Sequence, residues 1–543
     1  MRMTGMIRLI YSLIFVFGAG LLVACSGGGS SGTPPPQNPP FSKASLHGQY
    51  AFSASGVSAI CGGASSCGAY VARVGSFIAD GNGNITAAIE DVLDVSASTP
   101  ETLVTFTGGT YSIGADGRGS ITLHAGNGST LQLNVALQST SRGFLVETDL
   151  NAACSGSFNL QVPGDFATSA INNNYVFEVS GVSFSGVNSA PISIIGQMIT
   201  DGNGNVTGGT EDLNSGNQTA PSGPLAVTAG AYQLDPNTNG TNFGRGTMSF
   251  GGYSYVFYIV DKTHLKLVEK DNLGGTAGDA LQQLSSIPTQ VPGFTGSFAY
   301  LLSGSKVTNT TGPSASVGRF TADGKGGIGA ISLDRNNNGN TNQITQGSNI
   351  SAATYTIDTA HLGSGRGTFT FKNSGQSNPF TYVFYMSSST QAVLQDTTPS
   401  IVATGTMLAQ TGSPFAVAGS AGNYAFRWSG VGLNLNGAIP FNEDFVGQYG
   451  LSNTMNNNIG GLVDYTELGL SRSTLFSNVG ISGTLSIKGD GTVSNALRIA
   501  VSGSSSTTLN FAAYVVDAGT VLVMTTDSSE VTTGIAVQQQ PMQ

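Results

Sequence analysis

Gly75-Ser-Phe-Ile-Ala-Asp80-Gly-Asn-Gly-Asn84 decides how this chain is built, because the stretch recurs. It returns as Gly196-Gln-Met-Ile-Thr-Asp201-Gly-Asn-Gly-Asn205 and as Gly318-Arg-Phe-Thr-Ala-Asp323-Gly-Lys-Gly-Gly327, at a period of roughly 120 residues. A fourth copy, Gly447-Gln-Tyr-Gly-Leu-Ser452, keeps the frame and loses the aspartate. Asp-Gly and Asn-Gly supply the positive φ that tight β-turns demand, so each full copy predicts a hairpin.

The segment ahead of each hairpin aligns as well: Tyr50-Ala-Phe52-Ser-Ala54-Ser-Gly56, Tyr175-Val-Phe177-Glu-Val179-Ser-Gly181, Phe298-Ala-Tyr300-Leu-Leu302-Ser-Gly304 and Tyr424-Ala-Phe426-Arg-Trp428-Ser-Gly430. Alternate residues of a strand share a face, so the aromatic and aliphatic positions predict a buried side. Trp428, the only tryptophan, falls in that register, which predicts core packing over ligand stacking.

Beyond the hairpin lie a Tyr111-Ser-Ile113 strand, a Gly117-Arg-Gly119 turn, three further alternating runs and a strand closing on glutamine. The later copies repeat the pattern. That makes about eight short strands per unit with no helical periodicity, an antiparallel meander that favours a small β-barrel over a β-sandwich. The fold class is therefore all-β, in four tandem meander domains. Their bounds are 46–161, 171–283, 294–410 and 419–540, the last divergent, with Gly, Pro or small-residue linkers between them. Each unit carries its own apolar set, so each is expected to fold alone as a soluble monomer.

Several recurrent polar residues are candidate sites. Asp80, Asn82 and Asn84, like Asp201, Asn203 and Asn205, alternate as in the calcium loop of EF-hands. However, Ile85 or Val206 stands where that loop needs glycine, and the third copy has Lys325 and Gly327. A structural turn is expected, and no metal is favoured. Arg118, Arg245 and Arg366 recur between glycines, downstream of Asp91, Asp212 and Asp334. These read as structural ion pairs internal to each repeat, a bidentate guanidinium tying two hairpins together. In the fourth copy Gly489-Asp490-Gly491 lacks the arginine, and the acid falls at Asp464.

His47, His124, His264 and His361 occupy unrelated repeat positions, so no hydrolytic triad or metal cluster recurs. Gly28-Gly-Ser30-Ser-Gly32 matches a nucleophile elbow only in a segment that cannot form one. Glu443, Asp444, Asp464 and Glu467 are the one acidic cluster where a glycan-active enzyme could place its carboxylates. No cofactor is expected.

Residues 1–24 carry Arg2 and Arg8, then an apolar run ending in Leu22-Val23-Ala24-Cys25. This resembles the lipobox leader of bacterial lipoproteins. The likeness implies cleavage before Cys25, lipidation of that residue, and outer-membrane sorting because Ser26 follows. Residues 25–45 are rich in Gly and Ser and then Pro, a flexible tether leading into a stiffer spacer.

With Cys25 assigned to lipid, Cys61, Cys67 and Cys154 remain. Cys61 and Cys67 could close a small loop, or one of them could reach Cys154. The net charge is −10 before the two leader arginines are removed, which argues against nucleic-acid binding. The repeats resemble uncharacterised tandem-repeat lipoproteins of environmental bacteria, a likeness that implies no activity. The sequence thus points to a membrane-tethered, non-enzymatic binding or adhesion module whose partner is a glycan or an envelope or surface protein. A ligand-free envelope spacer and a glycan-active enzyme sited in the fourth repeat are the alternatives.

Overall fold

The structure, a computed structural model, describes residues 40–58, 68–96, 101–185, 188–238, 240–307, 311–345, 350–374, 378–433, 440–453, 457–469, 472–494, 497–501 and 507–540. Cys25, Cys61, Cys67, the leader and most of the tether lie outside them. The described chain is all-β, with only short 3-10 turns between its strands. No helix among the described residues is long and apolar enough to cross a membrane.

The first repeat is a closed eight-stranded antiparallel barrel. Its strands are His47–Ser58, Tyr70–Asp80, Asn84–Asp94, Glu101–Ile113, Arg118–Ala125, Thr130–Ser139, Arg142–Glu147 and Ala152–Leu160. Each pairs with the next, and the last returns to the first in the register Tyr50↔Leu160 to Ser58↔Ala152. Alternation sends Tyr50 and Phe52 inward, where they meet Phe77, Phe158, Ile121 and Leu145 in one core. At the hairpin the Asp80 carboxylate accepts the backbone N–H groups of Asn82 and Asn84 at 2.7 and 3.0 Å, while Gly81 and Gly83 take φ of 79° and 108°. The turn forms because these residues satisfy its orphan donors and its left-handed φ values.

The fourth repeat is likewise a closed barrel, running from Gly422–Gly432 to Glu530–Gln538. In the second, the strand matching Glu101–Ile113 is broken into Ser222–Ala226 and Gly230–Leu234. The ring still closes, because Asn188–Thr200 pairs with both Asn174–Ser185 and Asn205–Ser215. The third departs from the expected eight-stranded barrel. It is a nine-stranded sheet whose edges, Asn340–Thr345 and Ile350–Ile357, do not pair, and the Gly327↔Thr354 bridge spans the opening. The hairpin of Ile328–Asn337 with Asn340–Thr345, turned at Asn338 and Gly339 with φ of 53° and 81°, matches that of Asn84–Asp94 with Glu101–Ile113, Asp334↔Gln343 standing where the first repeat has Asp91↔Leu103. The strand matching Glu101–Ile113 is thus broken here too, and its second piece, Ile350–Ile357, is held to the first half of the sheet by that bridge.

Each repeat has its own core, and four more apolar clusters lie between repeats. Val74 and Ile89 of the first pack on Val256 and Tyr258 of the second. Val176 and Ile195 of the second meet Val383 and Tyr385 of the third. Ala299 and Val317 of the third meet Tyr514 and Leu522 of the fourth. Ala425 and Val446 of the fourth close on Ala136 and Phe144 of the first. The contacts therefore run first to second to third to fourth and back to first, a closed cycle of four side-by-side barrels.

Candidate functional site

The recurrent polar residues sit at these seams. Arg245 of the second repeat reaches Asp91 of the first, with Nε and Nη2 at 2.8 and 2.5 Å from its two oxygens. The Tyr258 hydroxyl adds a bond at 2.6 Å. One repeat on, Arg366 grips Asp212 at 2.7 and 2.8 Å with Tyr385 at 2.7 Å. Burial works against the Arg366 cation, but Asp212 outweighs it and holds the guanidinium well above its ordinary value.

Asp334 of the third repeat has no arginine among the described residues; Tyr514 of the fourth meets it at 2.7 Å, with Gln343 of its own repeat beside it, and burial pushes its carboxyl up. Thr492 pairs with Tyr514 in the register that Arg245 keeps with Tyr258. At the closing seam Arg118 Nη1 reaches Asp464 at 3.3 Å, and Ala136 stands in the tyrosine position.

This corrects the pairing expected from sequence. The arginines bind the aspartate of the preceding repeat in the cycle, not their own, and Arg118 does not pair with Asp91. The geometry of a barrel requires it, since both residues project from the outer wall. There they diverge from one another and converge on a neighbour.

The closing glutamines complete each seam. Gln161 Nε2 donates to the carbonyls of Phe243 and Ile259, and Gln283 to those of Ser364 and Met386. Gln410 donates to Asp490 and Val515, and Gln539 to Asp116 and Leu137 of the first repeat. In the fourth repeat it is Gln539, one beyond the strand end Gln538, that makes the contact. Gly117 and Gly365 leave it room. A Cβ there would lie 2.6 and 2.7 Å from the incoming glutamine amides, at φ of 84° and 72°. Sequence reading saw the glutamines as strand ends and missed this role; their recurrence beyond the last strand was the signal.

The Asp/Asn turns hold no unspent carboxylate. Asp201 accepts from the backbone of Asn203 and Asn205 and from the Asn205 amide, as Asp80 does in its own turn, and these bonds hold both acids down at about 2. Among the described residues no three His, Cys, Asp or Glu side chains are placed to hold a metal ion.

The acidic set of the fourth repeat is split by strand alternation. Glu443 lies opposite Glu467 inside the barrel and accepts Thr532 Oγ1 at 2.6 Å. Asp444 and Asp464 face outward, Asp464 into the closing seam. Trp428, 2 % exposed, stacks on Phe426 at 4.1 Å between ring centroids, beside a cavity of about 20 Å³ that would hold one water. A wider recess of about 270 Å³ opens on the second barrel beside Tyr232, Met248 and Lys270.

Further acids lie inside barrels. Arg73 clamps Glu147 at 2.8 and 2.9 Å and touches Glu90 at 3.1 Å, above the buried free thiol of Cys154. Glu269 accepts the Thr276 hydroxyl at 2.8 Å, and its other oxygen has no partner among the described residues. Burial pushes Glu147 and Glu269 up to about 8. A raised carboxyl binds its proton in the folded chain and has lost it in the unfolded one between its ordinary value of 4.5 and about 8. Stability therefore falls as pH rises through that window. Glu269→Gln, which mimics the protonated acid, is expected to remove on the order of 2 kcal/mol of that fall, read from urea melts at about pH 5 and pH 8. An unchanged slope would mean that Glu269 is ionised in the fold.

No family model matches the chain, and no curated protein does. Similar solved structures include a mutant of the vaccine antigen transferrin binding protein B from Haemophilus parasuis Hp5. It is 10% identical, with a TM-score of 0.20, covering 74% of this chain and 84% of that one. The isotype 1 protein of that name from serogroup B Neisseria meningitidis is 9% identical at a TM-score of 0.20, covering 71% and 79%. Overlaps this low carry no argument about what this chain does.

Proposed function

We propose that this chain is a lipid-anchored, non-enzymatic binding or adhesion protein of the bacterial envelope, sorted to the outer membrane through Cys25. One observation carries the reading: the four barrels are clamped side by side, so like ends lie together. One end gathers the recurrent Asp-Gly turns, the glutamine contacts and the linkers, and the chain enters there at Phe41, bonded to Ala115. At the other end lie Ser58, Ser185, Lys306 and Gly432, where the first strands stop, and the sequences that follow each of them differ in length and composition between copies. A scaffold that repeats while the loops at one end diverge is how binding surfaces vary on a fixed frame. Because the recurrent charged residues are consumed by the seams, they supply no catalytic set.

The ligand is a glycan or an envelope or surface protein. A glycan array probed with the mature chain tests the reading, and substituting the divergent loops should abolish any signal found. An empty array, with no surface-protein partner captured by crosslinking on cells, would favour a ligand-free spacer. The anchor is tested separately. Cys25→Ser should release the chain from the membrane fraction or leave an uncleaved precursor; wild-type fractionation and migration would remove the lipid.

A further inference from the structure

In the first barrel Arg73 spans two inward acids, Glu90 at 3.1 Å and Glu147 at 2.8 and 2.9 Å. In the third, Arg335 bonds to Asp396, which stands opposite Tyr382 as Glu147 stands opposite Leu133. The fourth has the neutral Thr525 at that position, opposite Phe511. The second barrel keeps both acids. Glu211 pairs with Gly196 as Glu90 does with Gly75, and Glu269 stands opposite Tyr255. Its arginine is missing: Ile194 takes the place of Arg73, and Leu213 that of Arg335.

Both acids are left short of partners. Glu269 is fully buried, with one oxygen on Thr276 and the other on nothing among the described residues. Glu211 is 5 % exposed and accepts no hydrogen bond from a described residue. Nearby Asp271 is engaged by the N–H groups of Ser254 and Leu273, and Lys270 turns away to the recess on the outer wall. Tyr253 and Tyr255 sense both acids, and burial holds their hydroxyls neutral. Burial also pushes Glu211 up to about 7 and Glu269 up to about 8, so protons stand in for the missing cation.

The way in is open. Over the clamp of the first barrel the strand Glu101–Ile113 runs whole, and Val104, opposite Glu90, packs on the core. In the second, Ser222–Ala226 pairs with Asn205–Ser215 but not with Arg245–Phe250. Leu225 therefore stands opposite Glu211, on the inward face, and is nevertheless 42% exposed. On the far side of the gap, Gly251 at φ of 60° passes close to Glu211; a Cβ there would lie 2.7 Å from its Oε2. This mouth lies at the end where the first strands stop.

We propose that the mouth of the second barrel binds an arginine side chain of a partner polypeptide, its guanidinium taking the place of Arg73 between Glu211 and Glu269 and its stem lying on Leu225. The polypeptide rests on the binding-module reading; the site rests on the register shared with the first barrel. A planar fork serves two carboxylates at once, which an ammonium does not. A free amino acid would bring its own carboxylate to a mouth already holding three acids.

The test is calorimetric titration of the purified full chain with N-acetylargininamide, its neutral isostere N-acetylcitrullinamide, and free arginine. At about pH 8.5 the blocked arginine should bind, and the citrulline probe at least about tenfold more weakly. Because the cation needs ionised acids, affinity should fall about tenfold or more on going to about pH 6. Glu211→Gln and Glu269→Gln should each weaken the probe about tenfold or more, with the melting temperature at pH 6 unchanged, since glutamine mimics the protonated acid. Ile194→Arg should fill the clamp from within and abolish binding. A flat titration, equal binding of the citrulline probe, or wild-type affinity in a folded Glu269→Gln or Ile194→Arg chain overturns the site. Free arginine binding as tightly as the blocked probe overturns the polypeptide as its source. A cell-surface partner captured equally by Glu269→Gln would remove this site and leave the binding module standing. Probe binding by a chain that captures no partner would do the reverse.

Discussion

Asp212→Ala should cost the full chain about 3–5 kcal/mol, far more than Asp80→Ala, which removes bonds from an exposed turn. The reason is what remains. Asp212 is 4 % exposed and carries both arms of Arg366 and the Tyr385 hydroxyl. Without it the guanidinium keeps Asp358 of its own repeat, at 3.2 Å, but loses both bonds of its buried partner, and an under-compensated buried charge costs more than the pair contributed. Asp334→Ala should cost less, about 1–3 kcal/mol, because the groups that lose a partner, the Tyr514 hydroxyl and the Gln343 amide, are neutral. Urea denaturation of the three variants gives the ranking. If Asp212→Ala is no worse than Asp80→Ala, the seam pair is not buried in solution.

The second large effect concerns independence. Sequence reading expects residues 294–410, expressed alone, to fold as a soluble monomer. The third repeat does own a sufficient core, with Phe298, Tyr300, Phe320, Phe369, Tyr382 and Phe384 packed together. Its outer wall tells against the monomer. Ala299, Ala315 and Val317 are covered by the fourth repeat, and Val383, Tyr385 and Val393 by the second. Excision uncovers both patches together with Asp334 and Arg366. The fragment is therefore expected to show a β-type circular dichroism spectrum and cooperative melting, yet to self-associate in light scattering at micromolar concentration. A persistent monomer would mean that the seams contribute little. An unfolded fragment would mean that the sheet bridged at Gly327 and Thr354 needs its neighbours to form at all.

Much of this architecture was legible. The alternation Tyr50, Phe52, Ala54 and the Asp80-Gly turn specify strand, face and hairpin by local stereochemistry, which a sequence states directly. The partner of each arginine was not legible. Recurrence at one period tells that Arg245 and an aspartate belong together, but it cannot tell which copy of the aspartate, since every copy offers one. Two signals could have broken the tie. The outward residue of the first strand is Ala51, Val176, Ala299 or Ala425, apolar in all four copies where a solvated wall would be polar. The fourth repeat also keeps Asp464 after losing its arginine, which makes little sense for an internal pair. The opening of the third barrel was hidden for another reason. The strand matching Glu101–Ile113 runs whole in the first repeat and breaks in the second and third, and alternation alone does not say where a strand stops pairing.

The seams are not equal in how they are tied. Leu160 to Asn174, Gln282 to Thr295 and Ala409 to Gly422 are short stretches of chain that hold consecutive barrels together whether or not their faces adhere. Between the fourth and the first there is no such stretch. That junction rests on Arg118, Gln539 and a small apolar patch, and it is the one with alanine in place of tyrosine. It behaves as the clasp of a bracelet. When it parts, the circle becomes an open arc that has lost no covalent bond, and the four barrels stay in reach for it to shut again. The tether joins the molecule within a few residues of the same clasp, Phe41 lying against Gly117 beside the Gln539 amide. A pull applied to the chain ahead of Phe41 would be delivered at that junction.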